Sequence, residues 1–407
     1  MALNPPPNNP KECFMLTPHV IETVKSTAPI LAEQGVNITN LFYAKLFKHH
    51  PELKHVFNMA NQQQGEQSKA LAESVFMYAS RIDELEALGP MVKRIAHKHA
   101  SLNIQPDHYP IVGKYLLEAI QEHLSLPDNH EILQAWAVAY EFLAQVFVDT
   151  EEQIYAVNEE KAGGWRDFKA FNISHIVNEN ESVKSFYLIP EDGELVDFEA
   201  GQYLGIKLKG QKGKFDEIRQ YSISNAPDEP YYRISVKTEA NSPENPGQVS
   251  NRLHQAQVGD QTWVQPPTGE FVVKAVENAK VFIAGGVGIT PLLSMLTDQL
   301  NKNPDQDLRF IHCVKEESHH IMKNEISLLK NKYDFEYFSA YELGEGADHQ
   351  GYLNPDILAK WLPNIQADVY FCGPKPFMAS IYDVCTTLGF KPEQLHYEVF
   401  GPTSSLK

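Results

Sequence analysis

The chain has 407 residues, a formal net charge of −18 and a hydrophobic fraction of 43%. This length is too great for one hydrophobic core, so two or three domains are expected. The strong negative charge argues against nucleic acid or an anionic membrane as the main partner. The sequence has no stretch of about 18 apolar residues, so no transmembrane helix is predicted.

The four cysteines, Cys13, Cys313, Cys372 and Cys385, have no short paired spacing. They suggest neither a zinc site nor a disulfide framework, so free thiols in a reducing cytoplasm are expected. Residues 1–14 are rich in proline and lack the apolar core of a secretory signal. They are predicted to form a flexible tail.

Residues 15–160 are predicted to form an all-helical domain. Thr17 and Pro18 form a helix start, with threonine as the N-cap and proline at the first helical position. Helical patterns then cover residues 18–34, 37–49, 65–79, 82–88, 90–102, 109–124 and 130–158.

One histidine in this domain interrupts an apolar helix face. Val92, Ile95, His99 and Leu102 recur at intervals of three and four residues and therefore share one face. An unpaired buried polar group costs roughly 1–3 kcal/mol, so the imidazole needs a partner. A haem iron is one candidate partner, and a backbone group of the core is the other. Phe57, in a polar loop, either plugs the core or lies against a flat ligand.

Two further domains are predicted after a short linker at residues 161–165. Alternating segments separated by turn residues predict an antiparallel β-barrel over residues 161–275. These segments are 167–176, 183–189, 203–208, 217–224, 232–236 and 261–265.

Alternation of strands and helices over residues 276–407 predicts an α/β domain with a parallel sheet. Its predicted strands are 281–284, 308–314, 335–340 and 369–372, and residues 341–352 are predicted to be an exposed loop. The predicted fold class is therefore multidomain, with an all-α domain, an antiparallel barrel and an α/β domain in that order.

A polar motif closes one barrel strand. Arg219 offers a planar fork for a pyrophosphate, the ring of Tyr221 can lie on a flavin, and the hydroxyl of Ser222 can hydrogen-bond a flavin nitrogen. An ordinary polar edge strand would explain the same residues. A second segment opens a predicted helix, whose N-terminus can bind phosphate. It consists of Gly247, Gln248, Val249 and Ser250.

A glycine loop directly follows the predicted strand 281–284, and Thr290 and Pro291 are predicted to cap and begin the next helix. A strand, a glycine loop and a helix start together form a phosphate cradle at the carboxyl edge of a sheet. The loop consists of Gly285, Gly286, Val287, Gly288, Ile289 and Thr290. A later strand ends in Cys372, Gly373 and Pro374, which are predicted to lie at the same edge, beside the nicotinamide.

The order of these motifs resembles that of the ferredoxin–NADP reductase superfamily: Arg-x-Tyr-Ser, Gly-Gln-Val-Ser, Gly-Gly-x-Gly-x-Thr-Pro and Cys-Gly-Pro. A globin-like domain ahead of such a module is the arrangement of the flavohaemoglobins, and the resemblance covers about residues 15–403. It implies haem b, FAD and NADH or NADPH as cofactors. It also implies nitric oxide dioxygenation, in which NO and O2 become nitrate at a haem iron reduced by NAD(P)H through FAD.

On the proximal side of the haem, the resemblance makes His99 the iron ligand, while His97 points off the apolar stripe and is rejected. Tyr109 and Glu151 match the pair that contacts the ligand histidine. A carboxylate that accepts the other imidazole N–H raises the basicity of the ring. Lys98 matches a position thought to influence the redox potential. Without the resemblance, Lys98 and Glu151 would be interpreted as solvated side chains.

On the distal side, the resemblance makes Tyr43 the hydrogen-bond donor to bound oxygen. Phe57 matches the aromatic side chain that packs on the haem. Gln67 and Leu71 are four residues apart, share a helical face and match the positions above the iron. The sequence alone would identify Tyr43 as a core tyrosine.

In the reductase part, Tyr203 and the segment 219–222, which includes Gln220, match flavin contacts. The loop 285–290 matches the dinucleotide loop, and Glu398 matches a residue that tunes the flavin. The C-terminal segment either packs as a tail or covers the flavin, and its remaining flavin contacts are Val399, Phe400, Gly401 and Pro402.

Three alternatives remain at this point. They are an oxygen-binding or oxygen-sensing globin with its own reductase, a flavin reductase without haem, and a haem-dependent hydroperoxide reductase. The choice between NADH and NADPH depends on residues near 314–317, where Lys315 suits a 2′-phosphate and Glu316 and Glu317 oppose it. A monomer in the cytoplasm is the default expectation.

Overall fold

The structure, a computed structural model, describes residues 16–210, 214–239, 248–274, 277–362 and 365–401. The tail predicted at residues 1–14 lies outside them. The chain divides into two compact units. The first contains the described residues up to Ala100 together with Ile104–Ile154, and the second contains Ser101–Asn103 and the described residues from Tyr155 onward. Within the described residues, no helix is both long enough and apolar enough to cross a membrane.

The first part of the described chain is helical, as predicted. Its helices are α1 (Pro18–Ser26), α2 (Ala28–His49), α3 (Met59–Gln63), α4 (Glu66–Ser80), α5 (Leu85–Ser101), α6 (His108–His123) and α7 (Glu131–Glu160), with a 3-10 turn at Pro51–His55. Their core includes the buried side chains of Ile38, Phe42 and Leu46 from α2 and of Leu116 and Ile120 from α6.

The first helix starts as predicted, because the side chain of Thr17 accepts a backbone N–H of the first turn at 3.3 Å. The predicted break at residues 35–36 is wrong: the chain breaks at Thr27, and Pro29 lies in the first turn of α2. Gly35 lies inside α2 instead. A Cβ on Gly35 would be 3.3 Å from the Cβ of Ala72 on α4, so the glycine permits a close helix crossing.

The helix that carries His99 is longer than expected. The sequence predicts separate helices on either side of Gly89, with Pro90 opening the second, but α5 runs without a break from Leu85 to Ser101 and includes both residues. Proline removes one backbone hydrogen bond at this position. Leu88 and Val92, on either side of it, are both buried, and their packing outweighs that loss.

The second unit begins with the predicted antiparallel barrel. Its strands are β1 (Lys169–Asn178), β2 (Val183–Pro190), β3 (Tyr203–Leu208), β4 (Glu217–Ser222), β5 (Tyr232–Lys237) and β6 (Gln261–Val264). They are ordered β4-β3-β6-β1-β2-β5. An antiparallel bridge between Ile223 and Ile234 joins the two ends of this order, so the sheet curls toward closure. Helix α8 (Gln248–Gln255) lies between β5 and β6 in the chain.

A parallel sheet follows, also as predicted. Its strands are β7 (Lys280–Gly285), β8 (Leu308–Val314), β9 (Glu336–Tyr341), β10 (His349–Gln350), β11 (Asp368–Cys372) and β12 (Leu395–Glu398), in the order β10-β9-β8-β7-β11-β12. The helices between them are α9 (Ile289–Lys302), α10 (Lys323–Lys332), α11 (Pro355–Trp361) and α12 (Lys375–Thr387).

Two strands of this sheet were not predicted. The pair His349–Gln350 lies within the predicted loop 341–352 and pairs with β9. The four residues of β12 pair with β11 and extend the sheet at its other edge. Both strands are too short to show an alternating pattern, so their sequences carry no local signal.

Candidate functional site

Two side chains from other helices meet one ring nitrogen of His99. The carboxylate of Glu151 on α7 lies 2.7 Å from Nδ1 of His99, and the hydroxyl of Tyr109 on α6 lies 3.1 Å from the same atom. The Tyr109 hydroxyl also donates to Oε1 of Glu151. Because an ionised carboxylate only accepts, Nδ1 carries the hydrogen and donates it to Glu151. The structure thus brings these three predicted residues together in one group.

The remaining ring nitrogen of His99 is available. Its Nε2 atom hydrogen-bonds to none of the described residues, and the side chain of His99 is 30% exposed. Glu151, in contrast, is only 2% exposed. A buried carboxylate that accepts Nδ1–H fixes the neutral tautomer whose Nε2 lone pair faces outward, which is the arrangement of a metal-binding histidine.

Two aromatic residues that were not predicted hold this group. Phe147 lies one helical turn before Glu151 and contacts both rings, with centroids 5.5 Å from His99 and 6.3 Å from Tyr109. Tyr140 donates its hydroxyl hydrogen to the carbonyl of Tyr109 at 2.7 Å. The spacing of four residues between Phe147 and Glu151 is a signal that could have identified the phenylalanine.

The predicted distal residues lie on α2, α4 and the loop between them. Tyr43 is 6% exposed and packs against two phenylalanines, with ring centroids 5.8 Å from both Phe47 and Phe57. Burial raises the pKa of the Tyr43 hydroxyl far above its usual value, so it stays protonated and can donate. Gln67 and Leu71 both lie on α4, within one helical turn of each other.

Two features of this unit fit a haem. The Nε2 atom of His99 is a nitrogen ligand suited to iron. The Oε1 atom of Gln67 is buried and accepts no hydrogen bond from the described residues, so a polar partner is missing from its surroundings. Lys98 is half-buried on α5, and its influence on the redox potential stays a prediction.

The barrel separates the predicted flavin residues onto two faces. In the register of β3 and β4, Tyr203 pairs with Ser222 and Ile206 pairs with Arg219. Side chains alternate along a strand, so Arg219 and Tyr221 share one face while Gln220 and Ser222 share the other. The Arg219 guanidinium is held by Glu217 at 2.8 Å and by a backbone carbonyl. Burial raises the pKa of the Tyr221 hydroxyl, which stays neutral.

The predicted phosphate-binding helix is α8, which begins at Gln248. Val249 and Ser250 are buried in its first turn, whereas Gly247 lies outside the described residues. The first N–H groups of a helix have no partner within it, so the start of α8 can receive an anion.

The glycine loop differs from its prediction in one detail. Thr290 was predicted as the cap of the following helix, but α9 begins at Ile289 with Gly288 as the cap. The reason is that a 3-10 turn at Gly286–Gly288 continues directly into the helix. The Thr290 hydroxyl instead donates to the carbonyl of Val287 at 3.1 Å. The Ile289 side chain is fully buried, so only its backbone can face a ligand.

Two glycines of this loop region leave no room for a side chain, and a third borders open space. A Cβ on Gly288 would lie 2.2 Å from the carbonyl oxygen of Cys372, and one on Gly373 would lie 3.0 Å from the Cα of Gly285. Gly286 has a φ of +54°, and a Cβ there would have no atom within 4 Å. Gly286 therefore borders a space that a phosphate group can fill, at the carboxyl end of β7.

Glu398 influences one residue from each sheet of the second unit, Cys372 and Tyr203. Cys372 and Glu398 are register partners on β11 and β12, and the Cys372 thiol donates to the Glu398 carbonyl at 3.5 Å. Burial, and then the charge of Glu398, raise the pKa of the Cys372 thiol. The same two causes raise the pKa of the Tyr203 hydroxyl. The Glu398 carboxylate thus lies near the end of the parallel sheet and near barrel strand β3.

The C-terminal segment continues from β12. Val399 packs against the core of the parallel sheet, whereas Phe400 is 45% exposed. Gly401 has a φ of +134°, and Pro402 lies outside the described residues. An exposed ring next to Glu398 suits the predicted contact with a flavin.

Three family models match this chain in the order of its domains. The model described as Globin matches residues 40–147, the Oxidoreductase FAD-binding domain matches residues 171–273, and the Oxidoreductase NAD-binding domain matches residues 282–383.

Full-length relatives are also found. A protein named Flavohemoprotein from Bacillus thuringiensis subsp. konkukian is 42% identical over 404 residues, covering 97% of this chain and 100% of the relative. The Flavohemoprotein of Bacillus subtilis (strain 168) is 40% identical, covering 96% of this chain and 99% of the relative.

Two solved structures are similar. A flavohemoglobin from Malassezia yamatoensis with bound FAD and heme has a TM-score of 0.84 at 24% identity, covering 95% of this chain and 100% of that one. The flavohem-like FAD/NAD-binding domain of nitric oxide dioxygenase from Vibrio cholerae O1 biovar El Tor has a TM-score of 0.54 at 34% identity. It covers 58% of this chain and 100% of that one.

These matches bear out the expected domain types. The globin, FAD-binding and NAD-binding domains make the chain an oxidoreductase whose cofactors are haem, FAD and a nicotinamide dinucleotide. Identity of about two-fifths over almost the full length of both chains places it in a family and not only in a fold class. The chain belongs to the flavohaemoprotein family.

Proposed function

We propose that this chain is a nitric oxide dioxygenase, which converts NO and O2 to nitrate with electrons from NAD(P)H. The observation that carries the proposal is the hydrogen-bonded group of His99, Glu151 and Tyr109. A buried carboxylate that accepts Nδ1–H gives the imidazole partial imidazolate character and strengthens electron donation through Nε2. Such donation favours oxygen chemistry over simple reversible oxygen binding.

Haem supplies an iron that binds diatomic ligands and takes single electrons, and FAD divides the electron pair of a hydride into single electrons. His99 would hold the iron through Nε2, while Glu151 keeps the proton on Nδ1 and fixes the ring. Phe147 packs on the rings of His99 and Tyr109, and Tyr140 holds the backbone of Tyr109 through a hydrogen bond.

In this proposal, Tyr43 belongs to the distal side of the haem pocket. Its hydroxyl stays protonated because burial raises its pKa. A phenol donor stabilises a ligand that carries negative charge, and a charge-assisted hydrogen bond of this kind contributes about 1.5–3 kcal/mol. Gln67 and Leu71 complete the distal wall in this proposal, with Phe57 packed against the haem edge.

The reductase residues bind and orient the two dinucleotides. Arg219 and the start of α8 receive the FAD pyrophosphate, and Tyr221, on the same face of β4 as Arg219, positions its ring. Tyr203 and Ser222, which are register partners at the end of β4, are the further flavin contacts of this proposal. The turn at Gly286–Gly288 receives the nicotinamide dinucleotide. Glu398 places a negative charge next to the flavin, which opposes accumulation of further negative charge on the ring.

The test is a nitric oxide pulse given to the purified holoprotein with NAD(P)H under air. Each NO that combines with O2 to form nitrate needs one electron, so two nitrates should form for each NAD(P)H consumed. NO is followed with an electrode, nitrate by ion chromatography and NAD(P)H by absorbance. Parallel runs with NADH and NADPH measure the nucleotide preference.

Two alternatives would give different results. An oxygen-binding globin with its own reductase would bind O2 reversibly and consume little NAD(P)H when NO is added. A hydroperoxide reductase would consume NAD(P)H on addition of an alkyl hydroperoxide faster than on addition of NO. Either result would remove the proposal. The reaction is assigned to the cytoplasm, in keeping with the free thiols of Cys313, Cys372 and Cys385.

A further inference from the structure

A buried histidine lies directly behind the glycine loop of the second unit. His312 is on β8, in register with Ala284 of β7, and is fully buried. Its Nε2 atom is 3.1 Å from the carbonyl oxygen of Gly286. Burial lowers the pKa of His312 to about 3, so the ring is neutral at physiological pH. Because a carbonyl oxygen only accepts, Nε2 carries the hydrogen of this neutral ring and donates it.

The accepting carbonyl belongs to Gly286, which with Val287 is one of the two loop residues that are only partly buried. Gly286 opens the 3-10 turn and has a positive φ, a conformation that glycine adopts without strain. Its carbonyl also accepts the backbone N–H of Ile289, the first residue of α9. The Gly286 carbonyl therefore accepts two hydrogen bonds from the protein, while a Cβ on Gly286 would meet no atom within 4 Å.

The second ring nitrogen of His312, Nδ1, is buried, and no described group hydrogen-bonds to it. The ring of His320 packs edge-on with its centroid 5.0 Å away, and His320 is itself bonded to the hydroxyls of Tyr337 and Tyr341. A phenylalanine in place of His312 would avoid an unbonded buried nitrogen. The hydrogen bond to Gly286 is the interaction that only the histidine provides.

We propose that His312 is a positioning residue for the nicotinamide dinucleotide. By holding the Gly286 peptide from within the sheet, it keeps the turn in the conformation that presents the start of α9 to the cofactor's pyrophosphate. His312 acts only through the backbone of Gly286. The inference rests on the NAD-binding domain of the family and not on nitric oxide dioxygenation, so either can fail without the other.

The test measures binding of ADP-ribose, which has the pyrophosphate but no nicotinamide, to the oxidised holoprotein by calorimetry. His312→Phe keeps a ring of similar size and removes the donor. It should weaken ADP-ribose binding about tenfold, the effect of one ordinary hydrogen bond. His312→Gln returns an N–H donor near the same carbonyl and should bring the affinity back to within about threefold of the unaltered protein.

Two controls separate positioning from a general structural role. His320→Gln changes the neighbouring buried histidine and leaves the bond to Gly286 in place, so ADP-ribose binding should not change. Reduced nicotinamide mononucleotide has no pyrophosphate. It should reduce the flavin at the same rate in His312→Phe as in the unaltered protein, as followed by the loss of flavin absorbance.

Three results would overturn the proposal: unchanged ADP-ribose affinity in His312→Phe, equal losses in the Phe and Gln variants, or an equal loss of flavin reduction by the mononucleotide. If His312→Phe does not retain FAD, nitrogen NMR of the histidine-labelled holoprotein provides a measurement without that variant. An Nε2–H tautomer of His312 supports the proposal, and an Nδ1–H tautomer contradicts it.

Discussion

His99 in the first unit and His312 in the second are each held through one ring nitrogen, but through different ones. Nδ1 of His99 donates to the carboxylate of Glu151, and its side chain remains 30% exposed. Nε2 of His312 donates to a backbone carbonyl, and no part of the residue is exposed. Nε2 of His99 is thus available to the proposed iron, whereas the second nitrogen of His312, Nδ1, is buried.

In these two proposals, the hydrogen-bond partner of each histidine decides its role. A carboxylate partner fixes the tautomer and also strengthens donation from the opposite nitrogen. A backbone carbonyl partner fixes the tautomer only, so the ring becomes a support for the peptide that it contacts. This comparison leads to four predictions.

The largest effect is expected for His99→Ala. Without its only proposed iron ligand, the protein should lose the Soret band of bound haem, while NAD(P)H-driven reduction of ferricyanide through the flavin continues. Absorbance spectra and the dye assay measure the two outcomes. His97→Ala, two residues away on the same helix, is the matched control and should keep both. Loss of dye reduction together with haem would contradict the two-module interpretation.

The second effect concerns Tyr43, the proposed distal donor. Tyr43→Phe removes a protonated hydroxyl and should make the reduced protein release O2 about 10 to 100 times faster, which corresponds to about 1.5–3 kcal/mol. Stopped-flow displacement of O2 by carbon monoxide measures this rate. Tyr78→Phe is the control, because its buried hydroxyl donates to the carbonyl of Ala139 instead. An unchanged release rate in Tyr43→Phe would remove the assigned role.

A smaller effect is expected when only the charge of the partner of His99 changes. Glu151→Gln keeps an acceptor for Nδ1–H but removes the carboxylate charge. The haem midpoint potential should rise and NO turnover should fall by about tenfold, the lower end of the range for such partners. Spectroelectrochemical titration measures the potential. Glu152→Gln removes the same charge from an exposed position and should change neither quantity.

The smallest effect is a pH dependence caused by the buried histidines of the second unit. Burial lowers the pKa of His312 to about 3 and that of His320 to about 4, below the value of about 6.5 for an unfolded histidine. As the pH falls below about 6.5, the unfolded chain binds protons that the folded chain does not. Stability therefore decreases, by at most about 1.4 kcal/mol per pH unit for each histidine.

His320→Gln removes one of these two contributions. The melting midpoint of the transition that releases FAD, followed by flavin fluorescence from about pH 7.5 to about pH 4.5, should therefore fall less steeply in this variant. Identical pH profiles for the variant and the unaltered protein would show that His320 does not stay neutral in the fold.

Much of the fold could be predicted from local patterns. The apolar helix face around His99 and the barrel strands each show a periodic hydrophobic pattern within a short segment. The loop after β7 is recognisable because its glycines directly follow a strand. The exceptions have physical causes. Gly35 and Pro90 lie inside helices because neighbouring side chains pack there, and β10 and β12 are too short to show a period.

The candidate site, like the fold, could be predicted from the sequence only in part. Only the resemblance to a family identified Glu151, because its acidic sequence neighbours Asp149 and Glu152 predict a solvated helix face, whereas the structure buries Glu151. Phe147 and Tyr140 were missed, although the first has helical spacing from Glu151. His312 was missed because an apolar strand with one histidine predicts only a core position.

The sequence by itself determined the three domain types and their order, because periodicity and glycine placement are properties of neighbouring residues, and the resemblance to a family proposed the residues that bind iron and phosphate. The tertiary structure alone decided which nitrogen of each histidine is bound and which is left over. That choice depends on a carboxylate 52 residues from His99 and a carbonyl 26 residues from His312, and only folding brings such groups within hydrogen-bond distance.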